Sequence, residues 1–95
     1  MDMGKKLQCE KIFKALSNSS RLEIVRLLSE RQFCVNALVS RMNISQAAVS
    51  QPLKILENTG LVKKKKEGYW IHYTLVPEGF RKGYLFLTGI NKDGK

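Results

Sequence analysis

The stretch SQAAVSQPLKILENTGLVKKKKEGYWIHYTL, residues 45–75, decides how this chain reads. Wound at about 100° per residue, residues 46–58 set Val49, Leu53 and Leu56 on one stripe. The opposite face holds Ala47, Gln51, Lys54 and Asn58, with Ser50 at its flank. Ser45 is a good N-cap, and Gly60 stands where a C-terminal capping glycine belongs. Two strand-like runs follow, LVKKKK and YWIHYTL, and Glu67-Gly68 between them is a turn signal for a hairpin. In the second run Tyr69, Ile71, Tyr73 and Leu75 share one face, while Trp70, His72 and Thr74 share the other.

Outward from this stretch the pattern is helical. Met42-Asn43-Ile44-Ser45 ends a short helix over about 35–42, which carries Leu38, Val39 and Met42 on one side. A helix over about 20–30 is expected to turn Leu22, Val25 and Leu28 inward and Glu23, Arg26 and Glu30 outward, after the capping cluster Ser17-Asn18-Ser19-Ser20. From about Lys5 to Leu16, Cys9, Ile12, Phe13 and Leu16 follow the spacing i, i+3, i+4, i+7. Pro77 closes the hairpin, and Phe80, Tyr84 and Leu87 then mark a last amphipathic helix over 78–89, ahead of the polar tail NKDGK. The expected fold is mainly α with one β-hairpin, ordered α1-α2-α3-α4-β1-β2-α5, in a single domain spanning 1–95.

Composition removes most other classes. The chain has 95 residues, 43% hydrophobic and 26% charged, with 17 basic residues against 8 acidic ones and a net charge of +9. So short a chain buries only roughly 60–65% of its unfolded surface, so either unusually good helix packing or a second subunit must supply the rest. The opening MDMGKKLQCEKIF lacks the apolar run of a signal peptide, and YLFLTGI is far too short for a membrane span, so a cytoplasmic protein with no membrane partner is expected. A single histidine, His72, and two cysteines, Cys9 and Cys34, supply neither a catalytic set nor a four-cysteine zinc site. No enzyme and no cofactor are expected. The charge is concentrated: residues 41–66 hold Arg41, Lys54 and Lys63 through Lys66 against one acidic residue, Glu57. A solvated face usually mixes signs, so this bias favours a polyanionic partner.

Two short helices joined by a tight turn, the second with a small polar outer face, form a helix-turn-helix over 35–58. Its second helix must enter a major groove about 12 Å wide, and Ala47, Ser50, Gln51 and Lys54 suit base edges there. The lysine hairpin over 61–76 makes this a winged helix, with Lys63, Lys64, Lys65 and Lys66 placed for phosphate contact. Tyr69 and Trp70 can stack on sugar or backbone, although packing beneath the wing is the commoner fate of such rings. Pro52, inside the second helix, deletes the bond to the Ala48 carbonyl; either it kinks the helix and alters its fit to the groove, or it marks a degenerate winged helix that no longer reads DNA.

ALSNSSRLEIVRLL together with the stretch from Ser45 to Leu75 resembles the ArsR/SmtB family of repressors, over about Ile12 to Leu75. The resemblance implies a homodimer, built through 5–16 and 78–89, that binds an operator palindrome in double-stranded DNA and is released by an inducer. By position it assigns Ser45, Gln46, Ala47, Ser50, Gln51 and Lys54 to the recognition helix and Lys63 through Tyr69 to the wing. It also departs from the family. The family's Cys-x-Cys metal site reads Cys34-Val35-Asn36 here, and no histidine follows His72 to build the site on the last helix. No metal is therefore expected, and Cys9 and Cys34 are either core residues or a thiol sensor. A winged helix that binds protein or RNA, without operator recognition, is the rival reading.

Overall fold

The computed structural model describes residues 3–93, as α1 (Met3–Leu16), α2 (Ser19–Glu30), α3 (Val35–Met42), α4 (Gln46–Asn58), β1 (Val62–Glu67), β2 (Trp70–Leu75) and α5 (Pro77–Asp93). The order is the expected one. No helix among the described residues is long and apolar enough to cross a membrane.

Local chemistry sets the boundaries. The Asn18 side chain accepts the Arg21 backbone N–H at 3.0 Å and starts α2. The Arg21 guanidinium reaches back and donates to the carbonyls of Ala15 and Lys14, closing the end of α1. Helix α4 ends in a Schellman turn: Gly60 takes φ 82°, and the N–H groups of Gly60 and Leu61 bond to the carbonyls of Glu57 and Leu56, each at 3.0 Å. Leu61 and Leu56, brought together by that turn, are both fully buried.

The core gathers Ile12 and Ala15 of α1, Ile24, Leu27 and Leu28 of α2, Leu38 of α3, the Val49-Leu53-Leu56 stripe of α4, and Phe33, Leu61, Val62 and Tyr73. Two expected stripes are rotated. In α2 the inward set is Ile24, Leu27 and Leu28, while Leu22 is half exposed. This helix is apolar around much of its circumference, and the tighter i, i+3, i+4 set wins the core. In α1, Ala15 is buried and Phe13 lies at the flank, its ring resting where Gly83 of α5 offers no side chain.

The hairpin is antiparallel, pairing Val62 with Leu75 and Glu67 with Trp70. Its two-residue turn is Gly68-Tyr69, one position later than expected. Gly68 has φ 62°, the left-handed value that a type II′ turn demands at its first position. Phe33, between α2 and α3, adds an unforeseen third strand position: it exchanges backbone bonds with Tyr73 at 3.2 and 2.7 Å. That bridge ties the base of the wing to the entrance of α3.

Candidate nucleic-acid interface

The α3–α4 turn is built by two residues with opposite backbone needs. Asn43 adopts the left-handed conformation (φ 56°) and donates its N–H to the Val39 carbonyl at 2.8 Å, which stops α3. Ser45 then accepts the Ala48 N–H at 3.1 Å and starts α4. Ile44, half-buried between them, packs against the core and fixes the angle of the turn.

Val49, Leu53 and Leu56 hold α4 from beneath, so Ser45, Gln46, Ala47, Ser50, Gln51 and Lys54 are all exposed. The expected recognition residues therefore share the solvent side of one helix. Helix α4 continues through Pro52, which is buried. Its ring lies three residues after Val49 and four before Leu56, so it occupies a place in the apolar stripe and leaves the outer face to polar side chains.

In the wing, Lys63, Lys64, Lys65 and Lys66 are all exposed and pair with Thr74, Tyr73, His72 and Ile71 in turn. Directly opposed residues share a face, so Lys64 lies on the Tyr73 side and Lys63 and Lys65 lie with His72. Tyr73 points to the core, which turns Lys64 toward α4. The two elements meet in a cleft lined by Ser50, Lys54, Glu57, Asn58 and Lys64, with Leu53 and Tyr73 at its base. Tyr69 and Trp70 are exposed rather than packed beneath the wing. The Trp70 ring stacks instead on His72, with centroids 6.5 Å apart and planes 24° apart.

Ion pairing divides the cations into two groups. Arg26 bonds Glu23 at 2.8 Å and Glu30 at 3.2 Å, and Arg41 reaches Glu30 at 3.6 Å. The hydrogen bond from Arg26 holds the Glu23 carboxyl below the usual carboxylate range. Arg41 also lies over the Phe33 ring at 5.6 Å, and Arg31 does so at 4.7 Å. Arg41, which the sequence counted in the basic segment, is thus engaged within the fold. Among the described residues, no ion pair engages Lys54 or Lys63 through Lys66. These side chains keep their charge available.

Cys9 is 3% exposed, between α1 and α5, where its thiol donates to the Lys82 carbonyl at 3.6 Å. It lines an apolar cavity of about 250 Å³ with Leu85 and Phe86. Cys34 is half-buried at the N-cap of α3, and both are free thiols. Among the described residues, no three His, Cys, Asp or Glu side chains of one chain converge as a metal ion would need.

Comparison with known proteins follows the same lines. Residues 18–64 match the family described as bacterial regulatory protein, arsR family. The arsenical resistance operon repressor of Escherichia coli K12 is 42% identical over 67 residues, which cover 70% of this chain and 57% of that protein. An HTH-type transcriptional regulator of Methanocaldococcus jannaschii is 36% identical over 77 residues, covering 80% of this chain and 86% of that one. Among solved structures, an ArsR-like transcriptional regulator from Rhodococcus sp. RHA1 superposes with a TM-score of 0.90 at 27% identity, covering 96% of this chain and 86% of the other. A homodimeric winged helix-turn-helix DNA-binding domain from Mycobacterium bovis gives 0.73 at 26% identity, covering 97% and 88%. The chain belongs to the ArsR family of winged helix-turn-helix transcriptional regulators.

Proposed function

We propose that this protein is a cytoplasmic, homodimeric repressor that binds an operator palindrome in double-stranded DNA. Helix α4 enters the major groove, where Gln51 pairs with adenine, Lys54 reaches guanine or phosphate, and Ala47 leaves room for a thymine methyl. Ser45, Gln46 and Ser50 set the register of the helix, and Lys63 through Lys66 bind phosphates. The observation that carries this reading is the junction of α4 and the wing in one cleft, where Ser50, Lys54 and Asn58 of the helix face Lys64 of the wing beside a single carboxylate, Glu57.

The dimer is assigned to α1 and α5. Phe13, Tyr84 and Leu87 are exposed there, and the homodimeric relative has the same fold. A two-fold pair would set the recognition helices in successive major grooves, about 34–36 Å apart. Release by a thiol-directed signal acts through Cys34, the more accessible sulfur, or Cys9 within the α1–α5 junction. A Cys34→Ser protein whose DNA binding responds unchanged to oxidant, arsenite and cadmium removes Cys34 from that role.

The decisive experiment is a gel-shift titration against the DNA upstream of the protein's own gene, with salt and competitor DNA varied. A repressor gives a complex that survives excess random DNA and weakens steeply with salt. A complex that random DNA displaces one for one, or none at all, favours the protein- or RNA-binding rival.

A further inference from the structure

The wing's charge changes character along its length. Lys63 through Lys66 form a cationic shaft, whereas the tip beyond the Lys66–Ile71 pair, Glu67-Gly68-Tyr69-Trp70, carries one carboxylate and no cation. Yet the tip is well exposed: Trp70 by 66% and Tyr69 completely. Exposed indole and phenol rings add little to a contact with phosphates. Glu67 pairs with Trp70 across the ladder, so its carboxylate shares that face and is repelled by a phosphate backbone. Trp70 is also held in position, because it stacks on His72, which is itself paired with Lys65. Shaft and tip therefore suit different parts of the same polyanion.

We propose that the wing tip is an aromatic wedge. Lys63 through Lys66 hold the flanking phosphates, while Tyr69 and Trp70 enter the minor groove and pack into an easily opened pyrimidine–purine step. The inference rests on the reading of α4 and the wing as a DNA interface, and it adds a source of sequence preference outside the recognition helix. Apolar wedges that part a base step are an established way to bind the minor groove. TA and CA/TG steps unstack at least cost, whereas A-tracts are stiff with a narrow minor groove. Stacking displaces no counterions, so this contribution is insensitive to salt, unlike that of the shaft.

Trp70 is the single tryptophan of the chain, so its emission reports on the wing alone. The test titrates the full chain with two labelled duplexes of equal length, one of alternating TA steps and one an A-tract. Affinity is read by anisotropy and wing contact by Trp70 fluorescence. The wedge predicts quenched emission on the TA duplex and a preference of about tenfold for it, the scale of one stacked base. Trp70→Ala removes the preference and leaves the salt slope unchanged, and Tyr69→Ala reduces the preference. Both positions are exposed, so the fold is expected to persist, as circular dichroism can verify. Equal affinities with unchanged emission, or a preference that survives Trp70→Ala, overturn the wedge alone. Failure to bind either duplex overturns the DNA interface itself, and the wedge with it.

Discussion

Replacing Gly79 by alanine sets a local gain against a packing loss, and the structure predicts which prevails. Alanine is favoured over glycine within a helix by up to about 1 kcal/mol. The added Cβ, however, would stand 2.2 Å from the carbonyl oxygen of Gly60 and 3.0 Å from its carbonyl carbon. That carbonyl cannot readily withdraw. It belongs to the capping turn of α4, in which Thr59, Gly60 and Leu61 are bonded to the carbonyls of Ile55, Glu57 and Leu56. Helix α5 must therefore shift by roughly 1 Å, and overpacking of this kind costs about 1–3 kcal/mol. The net expectation is a destabilisation of about 1–2 kcal/mol, a fall in Tm of several degrees for a domain of this size.

Urea titration followed by far-ultraviolet circular dichroism, at one fixed protein concentration, measures the effect. Two substitutions in the same helix serve as controls. Gly89→Ala meets nothing within 4 Å in its own chain and should gain the helical preference without a clash against the α4 cap. Gly83→Ala would touch the Phe13 ring at 3.4–3.6 Å, an ordinary contact, and should be neutral or mildly stabilising. A Gly79→Ala protein as stable as the wild type, alongside a stabilised Gly89→Ala, would refute the argument that α5 is seated on the α4 cap.

Other consequences are simpler to read. Asn18→Ala removes the cap of α2 and should cost about 1 kcal/mol in the same urea assay. Replacing Lys63 and Lys65 by alanine should weaken binding to all duplexes alike, and flatten the plot of log affinity against log salt by about 0.9 for each lost phosphate contact. The pH dependence follows from Glu23, whose pKa is held down by Arg26. A carboxylate depressed in the folded state contributes stability above its unfolded pKa and loses it as the pH falls through the lower, folded value. Because the pair is solvent-exposed, the effect should be small and suppressed by salt. Comparing the acid limbs of wild type and Glu23→Gln checks it, the wild type losing more stability across that window.

Much of this architecture is legible in the sequence because its signals are periodic or stereochemically costly. The Val49-Leu53-Leu56 stripe can bury itself in only one orientation, and this fixes which face of α4 meets solvent. Gly60 and Gly68 mark backbone turns that other residues adopt poorly. Where such constraints weaken, the reading slips. In α2 apolar residues surround much of the helix, so periodicity alone could not choose Ile24 over Leu22. The Phe33–Tyr73 bridge is one residue long and leaves no pattern at all. Exposure at the wing tip was equally hidden, since alternation predicts which face a ring takes but not how far the hairpin extends beyond the core. Arg41 shows the same limit for charge: the sequence counts a cation, and only the fold reveals Glu30 beside it. The place of Pro52 could have been found, for its spacing from Val49 and Leu56 puts it on the buried side.

Base reading is assigned here to the exposed face of α4, and backbone contact to Lys63 through Lys66. The most direct test is the ratio of operator to random-duplex affinity, measured for the wild type and for Gln51→Ala at one salt concentration. A bidentate contact to adenine is worth about 1–3 kcal/mol of discrimination. The ratio is expected to fall by roughly five- to 150-fold for each half-site in which the contact is lost, with affinity for random DNA nearly unchanged. Equal losses on both duplexes would contradict it.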